Sequence, residues 1–272
     1  MNPEANRCVS CPAFAATLQR VVRAVFWLAL TSVVPASSAA ELPDTIERIK
    51  PSIVGIGTFV KLRNPAAIAS GTGFAVADGR HVVTNAHVLP KEMDADKKET
   101  LVVWTAGNKE PREAQVLAVD KEYDIAILRL SGGALPAMQL ADSDKVREGQ
   151  MLVFTGFPLG LVFGFHPATH RAMVSAIPPM VMQGMTARQL NARMISRIRD
   201  AASSVIQLDG TAYPGNSGSP LYDPNTGAVY GIVNMVLVKG TRESAISTPS
   251  GITYAIPSNR IADLLREKQL TP

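Results

Sequence analysis

Cysteine is almost missing from this chain of 272 residues, which contains only Cys8 and Cys11. Both lie within the first 40 residues, so the rest of the chain gains nothing from disulfide bonds. Their C-x-x-C spacing occurs in zinc and redox sites, but no second cysteine pair completes a four-ligand zinc site. The sequence therefore excludes a disulfide-stabilised scaffold beyond residue 40, and we expect no metal and no organic cofactor.

Long apolar runs are also missing. A membrane-spanning helix needs roughly 20 apolar residues, and no apolar run in the sequence is that long. A shorter run, residues 24–34, follows Arg20 and Arg23 and precedes the small residues 36–40. This order predicts a signal peptide over residues 1–40 that is cleaved after Ala40. An uncleaved membrane anchor is the alternative, since the region before Arg20 is long for a signal peptide. We therefore expect an exported protein, periplasmic or extracellular.

Charge of either sign is scarce, with 27 basic and 23 acidic residues and a formal net charge of +4. Removing residues 1–40 takes away three arginines and one glutamate, which leaves 24 minus 22, or +2. A net charge this close to zero gives no reason to expect nucleic-acid binding. The 46% of hydrophobic residues suits a globular protein with a sizeable core rather than a disordered one.

Short apolar runs broken by turns fill most of the chain after Ser52, a pattern typical of an all-β sandwich or barrel. Asp78-Gly79 between two such runs predicts a hairpin. A linker-like stretch at 131–136 separates two clusters of strands. We therefore expect an N-terminal β-domain over residues 41–135 and a C-terminal one over 136–272. A cleft between two domains is a favoured place for an active site.

Two stretches have the periodicity of helices. Residues 186–201 combine apolar residues at helical spacing with arginines around the rest of the wheel. That basic face is either solvated or a docking surface for a partner. The second helix begins at Ser258, with Ile261, Leu264 and Leu265 as its apolar stripe, and we expect it to pack on the C-terminal domain.

A serine in a glycine-rich turn, within the stretch 213–220, is the candidate nucleophile. Gly215 and Gly218 flank Ser217 and allow backbone shapes closed to residues with a Cβ. Such a turn can expose the Ser217 hydroxyl and direct backbone N–H groups at one point, as acyl transfer requires. Taken alone the stretch is equally compatible with an ordinary turn.

A serine hydroxyl needs a base, and histidine is the usual one. The chain has four histidines, of which His87 lies where an apolar strand gives way to a polar turn. His81 is expected at the surface, and His166 and His170 are expected in a loop. Asp124 precedes another apolar strand and could orient the imidazole of His87, although each residue alone also fits a structural role.

The order of these residues along the chain separates the possible hydrolase classes. His87, Asp124 and Ser217 follow the order of the two-barrel serine proteases. The α/β-hydrolase order needs a histidine after the serine, and none follows Ser217. The subtilisin order needs an aspartate before the histidine within alternating helices and strands, a pattern that is not found around Asp44 or Asp78.

The chain resembles the trypsin-like protease domain of the HtrA/Deg family. The resemblance covers roughly Ile46 to Leu265 and depends on three motifs in the same order. The histidine motif is Gly71-Thr72-Gly73-Phe74 with residues 83–88, the aspartate motif is residues 124–128, and the serine motif is residues 207–209 with 214–221.

The resemblance implies two six-stranded β-barrels and a role for each site residue. Ser217 would be the nucleophile, His87 the general acid–base and Asp124 its orienting group, with the backbone N–H groups of Gly215 and Ser217 as the oxyanion hole. An extended peptide would bind as an added strand along Thr211, Ile232, Val233 and Asn234. We find no acidic residue at the base of the primary pocket and expect cleavage after small or medium aliphatic residues. By analogy the protein would form a trimer through residues 41–50.

The chain departs from the family at several points. Ser219 replaces the usual glycine, Ala172 stands where glycine is common, and the segment 177–203 is longer than expected. The family usually carries a peptide-binding PDZ domain, and we expect this chain to lack it. We expect a serine endopeptidase that degrades unfolded or damaged proteins. The alternative functions are a latent binding protein or chaperone on a protease scaffold and, less favoured, a non-protease acyl hydrolase.

Overall fold

The computed structural model describes residues 41–106, 108, 110–158, 166–180, 204–235 and 251–272. The predicted signal peptide, the predicted basic helix at 186–201 and most of the segment 177–203 lie outside these residues. In the described ranges, no helix has the length and apolar character needed to cross a bilayer.

Two closed antiparallel barrels of six strands each form the body of the described chain. The strands of the first barrel are β1 (Ile53–Phe59), β2 (Ala67–Val76), β3 (His81–Thr84), β4 (Thr100–Thr105), β5 (Arg112–Asp120) and β6 (Ile125–Leu130). Those of the second are β7 (Met151–Gly156), β8 (Ala168–Ala176), β9 (Ile206–Asp209), β10 (Pro220–Tyr222), β11 (Val229–Asn234) and β12 (Ile252–Pro257). The predicted all-β fold of two six-stranded barrels is confirmed.

Both barrels have the same connectivity. The first runs in the order β1-β2-β3-β6-β5-β4, and the second repeats it as β7-β8-β9-β12-β11-β10. The predicted hairpin at Asp78-Gly79 joins β2 to β3, and Gly79 takes a positive φ of 75° in its turn. The predicted boundary at 135/136 falls between β6 and β7, and the domain limits themselves stay a prediction.

Three hydrophobic clusters hold the barrels together. One fills the first barrel around Val54, Val82 and Leu128, and another fills the second around Leu152 and Val233. The third contains residues of both barrels. Alternation along β1 explains how one strand serves two clusters, since successive side chains point to opposite faces. Most of β1 and all of β3 are buried, which is why these strands read as continuous apolar runs.

A helix near each end of the described chain packs on the second barrel. Helix α1 (Leu42–Ile49) was not expected from the sequence. Its Thr45 Oγ1 donates to the carbonyl of Asn225 at 2.9 Å. Helix α2 (Ser258–Glu267) follows β12 directly and buries Ile261, Leu264 and Leu265, as its periodicity predicted.

Two expectations about histidines are wrong. His81 is only 6% exposed, because it opens β3, and its Nδ1 lies 2.7 Å from Asp78 Oδ1. His170 is part of β8, not of a loop. Its ring stacks on Phe154 at 5.0 Å and approaches Tyr213 at 6.1 Å between centroids. Both rings therefore contribute to packing.

Protonation of His170 should make the protein less stable in mild acid. Burial lowers the pKa of the His170 imidazole, and within the described residues its Nε2 has no hydrogen-bond partner. The unfolded chain, with an ordinary histidine pKa near 6.5, then binds a proton that the folded chain resists. Stability is complete above that pH and falls as the pH drops towards the lowered pKa of the folded state.

The measurement is the free energy of unfolding in urea at several pH values between about 7 and 5. His170→Phe keeps an aromatic ring in the stack and should make the free energy of unfolding depend less on pH. His166 is exposed, so His166→Phe is the matched control and should leave this pH dependence unchanged. A decline of the same steepness in His170→Phe would assign the acid sensitivity to other groups.

Candidate active site

His87 and Asp124 meet because the strands that carry them are neighbours. His87 lies on a single turn of 3-10 helix after β3, and Asp124 immediately precedes β6, which pairs with β3. His87 Nδ1 is 2.5 Å from Asp124 Oδ2, and the backbone N–H of His87 donates to Asp124 Oδ1 at 2.9 Å. The carboxylate is therefore placed to fix the imidazole so that Nε2 faces away from it.

Ser217 approaches this pair from the second barrel. It lies in the turn between β9 and β10, and its Oγ is 3.0 Å from His87 Nε2. The serine is only 6% exposed, whereas the side chain of His87 is 30% exposed. The three residues singled out in the sequence are thus connected by hydrogen-bond distances in the order Ser217, His87, Asp124.

Asp124 has a strained backbone that several contacts hold in place. Its φ of 53° lies in the left-handed region, which costs a non-glycine residue about 1–2 kcal/mol. Its carbonyl accepts from the N–H of Ala86 at 3.1 Å and from Asn85 Nδ2 at 3.0 Å. Strain of this kind persists where the surroundings over-determine the conformation.

The structure places Asn234 against Asp124, which the sequence did not indicate. Asn234 Nδ2 donates to Asp124 Oδ2 at 2.7 Å across the junction of the barrels. It was expected to line the substrate site, and its observed contact instead gives the carboxylate a second donor besides the imidazole. At the end of β11 it is 1% exposed.

The strand that carries Ile232 and Val233, which was expected to line the substrate site, turns both side chains into the interior. Both residues are fully buried, Ile232 in the cluster shared by the barrels and Val233 in the second barrel. The backbone of β11 is paired with β10 on one edge and β12 on the other, and the Val233 N–H and carbonyl bond to Ser219 and Gly218. Thr211, between β9 and β10, is half-buried.

The turn before Ser217 has the geometry of a type II β-turn. Asn216 N–H donates to the Tyr213 carbonyl at 2.9 Å, Pro214 precedes Gly215, and Gly215 has a φ of 103°. Neither the N–H of Gly215 nor that of Ser217 has a hydrogen-bond acceptor among the described residues. Both donors are available to an external oxygen atom.

Thr72 connects this turn to the first barrel. Its N–H donates to the Ser217 carbonyl at 2.9 Å, and its Oγ1 donates to the Gly215 carbonyl at 2.7 Å. The same Oγ1 accepts from the Phe157 N–H at 3.0 Å. Sequence reasoning did not assign a role to Thr72, although its place in the histidine motif was a signal.

The unusual Ser219 fits because a glycine faces it. Ser219 and Asn216 are fully buried, and the described residues offer no hydrogen-bond partner to their side chains. A Cβ on Gly156 would lie 2.0 Å from Ser219 Oγ and 2.9 Å from Thr72 Oγ1. Position 156 therefore requires glycine for close packing beneath the serine turn.

Within the described residues, no group of three or more histidine, cysteine, aspartate or glutamate side chains is arranged to hold a metal ion. The site consists of a hydroxyl, an imidazole, a carboxylate and two backbone N–H groups that have no acceptor among the described residues. This set can remove a proton from a hydroxyl and stabilise a negative oxygen beside it.

Comparison with known proteins identifies relatives over most of the chain. The family model described as "Trypsin-like peptidase domain" matches residues 71–232. Serine protease HTRA3 of Homo sapiens is 30% identical over 234 residues, 84% of this chain and 45% of that protein. A probable periplasmic serine endoprotease, DegP-like, of Pseudomonas putida (strain W619) is 29% identical over 202 residues, 74% of this chain and 35% of that protein. The chain spans less than half the length of these curated relatives.

Solved structures share the fold at lower identity. The Rv3671c protease from M. tuberculosis, in its active form, has a TM-score of 0.59 and 22% identity, covering 84% of this chain and 85% of that one. The HtrA-type protease AlgW with a decapeptide has a TM-score of 0.60 and 22% identity, covering 84% of this chain and 67% of that one.

Proposed function

This chain belongs to the trypsin-like peptidase family, and we propose that it is a serine endopeptidase of the HtrA type in which Ser217, His87 and Asp124 carry out the reaction. The observation that carries the proposal is the pair of contacts at His87, 3.0 Å from Nε2 to Ser217 Oγ and 2.5 Å from Nδ1 to Asp124 Oδ2. In these roles Ser217 is the nucleophile, His87 the general acid–base and Asp124 the group that orients it.

The reaction begins with proton transfer from Ser217 Oγ to His87 Nε2 as Oγ attacks the peptide carbonyl. The imidazolium so formed keeps its Nδ1 proton and donates it in a hydrogen bond to the Asp124 carboxylate, and the carbonyl oxygen becomes an oxyanion. His87 then gives the Nε2 proton to the departing amine, which leaves an acyl group on Ser217. Water, deprotonated by His87, releases the acyl group and restores the hydroxyl.

The oxyanion would be held by the N–H groups of Gly215 and Ser217. The type II turn supports this role, since it leaves both donors without an internal acceptor among the described residues. Loss of one such donor costs on the order of 3–4 kcal/mol of transition-state stabilisation. Thr72, which binds the carbonyls of both residues, keeps the turn in this form.

The substrate would be an extended peptide bound through backbone hydrogen bonds. The side chains of Ile232 and Val233 are buried and β11 is paired on both edges as far as Val233, so the added strand would contact the backbone at Asn234, beyond that paired part. The polar but uncharged Thr211 in the proposed pocket supports cleavage after small or medium aliphatic residues, and the nearby Asp209 is exposed at the end of β9. Dominant cleavage after lysine or arginine in a peptide library would contradict this part of the proposal.

The cellular role follows by analogy with the relatives. Export of the chain is supported by the basic, apolar and small-residue order of residues 1–40 and by a relative named as periplasmic. In that location unfolded or damaged proteins would be its substrates. A homotrimer with residues 41–50 at its contact is the proposed assembly.

A fluorophosphonate probe tests the proposed nucleophile, because it reacts with a serine hydroxyl only when a base has activated it. The full chain should be labelled at Ser217, and Ser217→Ala should lose the label. Complete absence of label, even with an unfolded protein present, would contradict the proposal and favour the alternative of a binding protein on a protease scaffold.

A further inference from the structure

An arginine of helix α2 reaches across the barrel junction to the residue before Asp124. The guanidinium carbon of Arg260 lies 4.8 Å from the centroid of the Tyr123 ring. Arg260 belongs to the second barrel's helix, whereas Tyr123 belongs to the first barrel's turn into β6. A guanidinium over an aromatic face within about 6 Å is an attractive cation–π contact.

The start of helix α2, which carries Arg260, is fixed by hydrogen bonds of the two residues before the arginine. Ser258 Oγ donates to the Ala141 carbonyl at 2.6 Å, and Asn259 Nδ2 donates to Asp142 Oδ1 at 3.0 Å. Asn259 N–H also donates to Ser143 Oγ at 3.2 Å. The first turn of α2 is therefore a rigid platform on the second barrel.

Among the described residues, the guanidinium contacts both the Tyr123 ring and Asp263. Its contact with Asp263 is long, at 3.5 Å, and Asp263 lies closer to Arg266, at 2.6 Å. The Arg260 side chain is 24% exposed, so water screens its charge only in part.

Tyr123 has few other anchors on its own barrel. Its N–H donates to Asp120 Oδ1 at 3.0 Å, and its ring packs at the margin of the cluster shared by the barrels. The next residue, Asp124, needs its strained φ of 53° to present the carboxylate to His87. Because Tyr123 directly precedes this strained residue, a shift of its backbone would act on the contacts that hold Asp124.

We propose that Arg260 is a positioning residue, which clamps the ring of Tyr123 and thereby fixes the turn that presents Asp124 to His87. The clamp joins the barrel that carries the serine to the barrel that carries the base and its carboxylate. The inference rests on the proposed function, because it concerns the orientation of the same site.

Arg260→Met keeps the length and apolar stem of the side chain but removes the guanidinium. We expect kcat for a peptide substrate to fall about threefold to tenfold, the range that loss of one partly exposed cation–π contact allows. KM should stay unchanged, since the misplaced carboxylate affects the chemical step. Arg260→Lys, which keeps the cation, should recover part of the loss.

Variants at the ring separate the clamp from general packing. Tyr123→Phe keeps the aromatic face and should behave like the parent chain, whereas Tyr123→Leu should match Arg260→Met. The double variant Arg260→Met/Tyr123→Leu should be no worse than either single variant, because both remove one contact. Arg266→Met is the matched control, since it also removes an arginine that pairs with Asp263. Arg266 follows Asp263 in the sequence, and its side chain is 62% exposed.

A readout independent of turnover is the proton NMR signal of His87 Nδ1–H, which the hydrogen bond to Asp124 shifts downfield. It should move or broaden in Arg260→Met and Tyr123→Leu, and stay in place in Arg266→Met and Tyr123→Phe. Should Arg260→Met not fold, the comparison of Tyr123→Phe with Tyr123→Leu decides the question.

Unchanged kcat and an unchanged His87 signal in Arg260→Met and Tyr123→Leu would overturn the inference, as would an equal effect of Arg266→Met. A parent chain that the fluorophosphonate probe does not label would contradict the proposed function instead. In that case the His87 signal would still support or overturn the clamp.

Discussion

Ser217→Ala should reduce kcat for peptide hydrolysis by about 10⁶-fold, because no other group in the site can attack the carbonyl. His87→Ala should cost about as much, and the double variant no more than either, since the two residues act as one unit. Asp124→Asn should lower kcat by about 10⁴-fold by favouring the wrong imidazole tautomer. Steady-state hydrolysis of an unfolded protein or peptide measures all four variants.

Ser219→Ala is the control for this series. It removes a buried hydroxyl from the same turn, one whose Oγ has no partner within the described residues. Its kcat should stay within about threefold of the parent value. If Ser217→Ala hydrolysed peptides as fast as Ser219→Ala, the assignment of the nucleophile would be wrong.

Gly218→Ala should unfold or severely destabilise the chain, by more than about 3 kcal/mol. Gly218 has a φ of 89°, and a Cβ there would lie 1.9 Å from the Thr72 carbonyl oxygen and 2.6 Å from Thr84 Oγ1. The carbonyl belongs to β2 and cannot move without breaking the barrel. Urea unfolding gives the loss of stability, and fluorophosphonate labelling shows whether any folded fraction keeps its site.

Gly149→Ala separates the two causes of that loss. Gly149 has nearly the same φ, 84°, but a Cβ there meets no atom within 4 Å among those of the described residues. Gly149→Ala should lower the free energy of unfolding only by the backbone strain, about 1–2 kcal/mol. Equal costs at the two positions would mean that φ alone, and not the approach of β2, requires glycine at 218.

Local chemistry made the strands and the central site residues predictable. Runs such as 82–84 and 125–128 are β-branched or aliphatic and follow turn residues, so both appear where expected, in β3 and in β6. Only one assignment of His87, Asp124 and Ser217 suits their order in the chain. The structure brings these three together, and their roles stay a proposal.

The remaining features depend on tertiary contacts that no local pattern records. The strand around Ile232 and Val233 is apolar on both faces. The spacing of its apolar residues therefore could not show which face of the strand lies towards the cleft. Helix α1 has eight residues, too few for local propensity to signal, and gains its stability from packing on the second barrel. The contacts of Asn234 and Arg260 with the aspartate turn cross more than a hundred residues of sequence.

The division of the site between two barrels also sets the order in which activity can arise during synthesis. His87 and Asp124 belong to the part of the chain that leaves the ribosome first, and Ser217 follows. The serine turn depends on β11, which in turn pairs with β12. A growing chain therefore cannot bring Ser217, His87 and Asp124 together in this geometry until β12 has emerged.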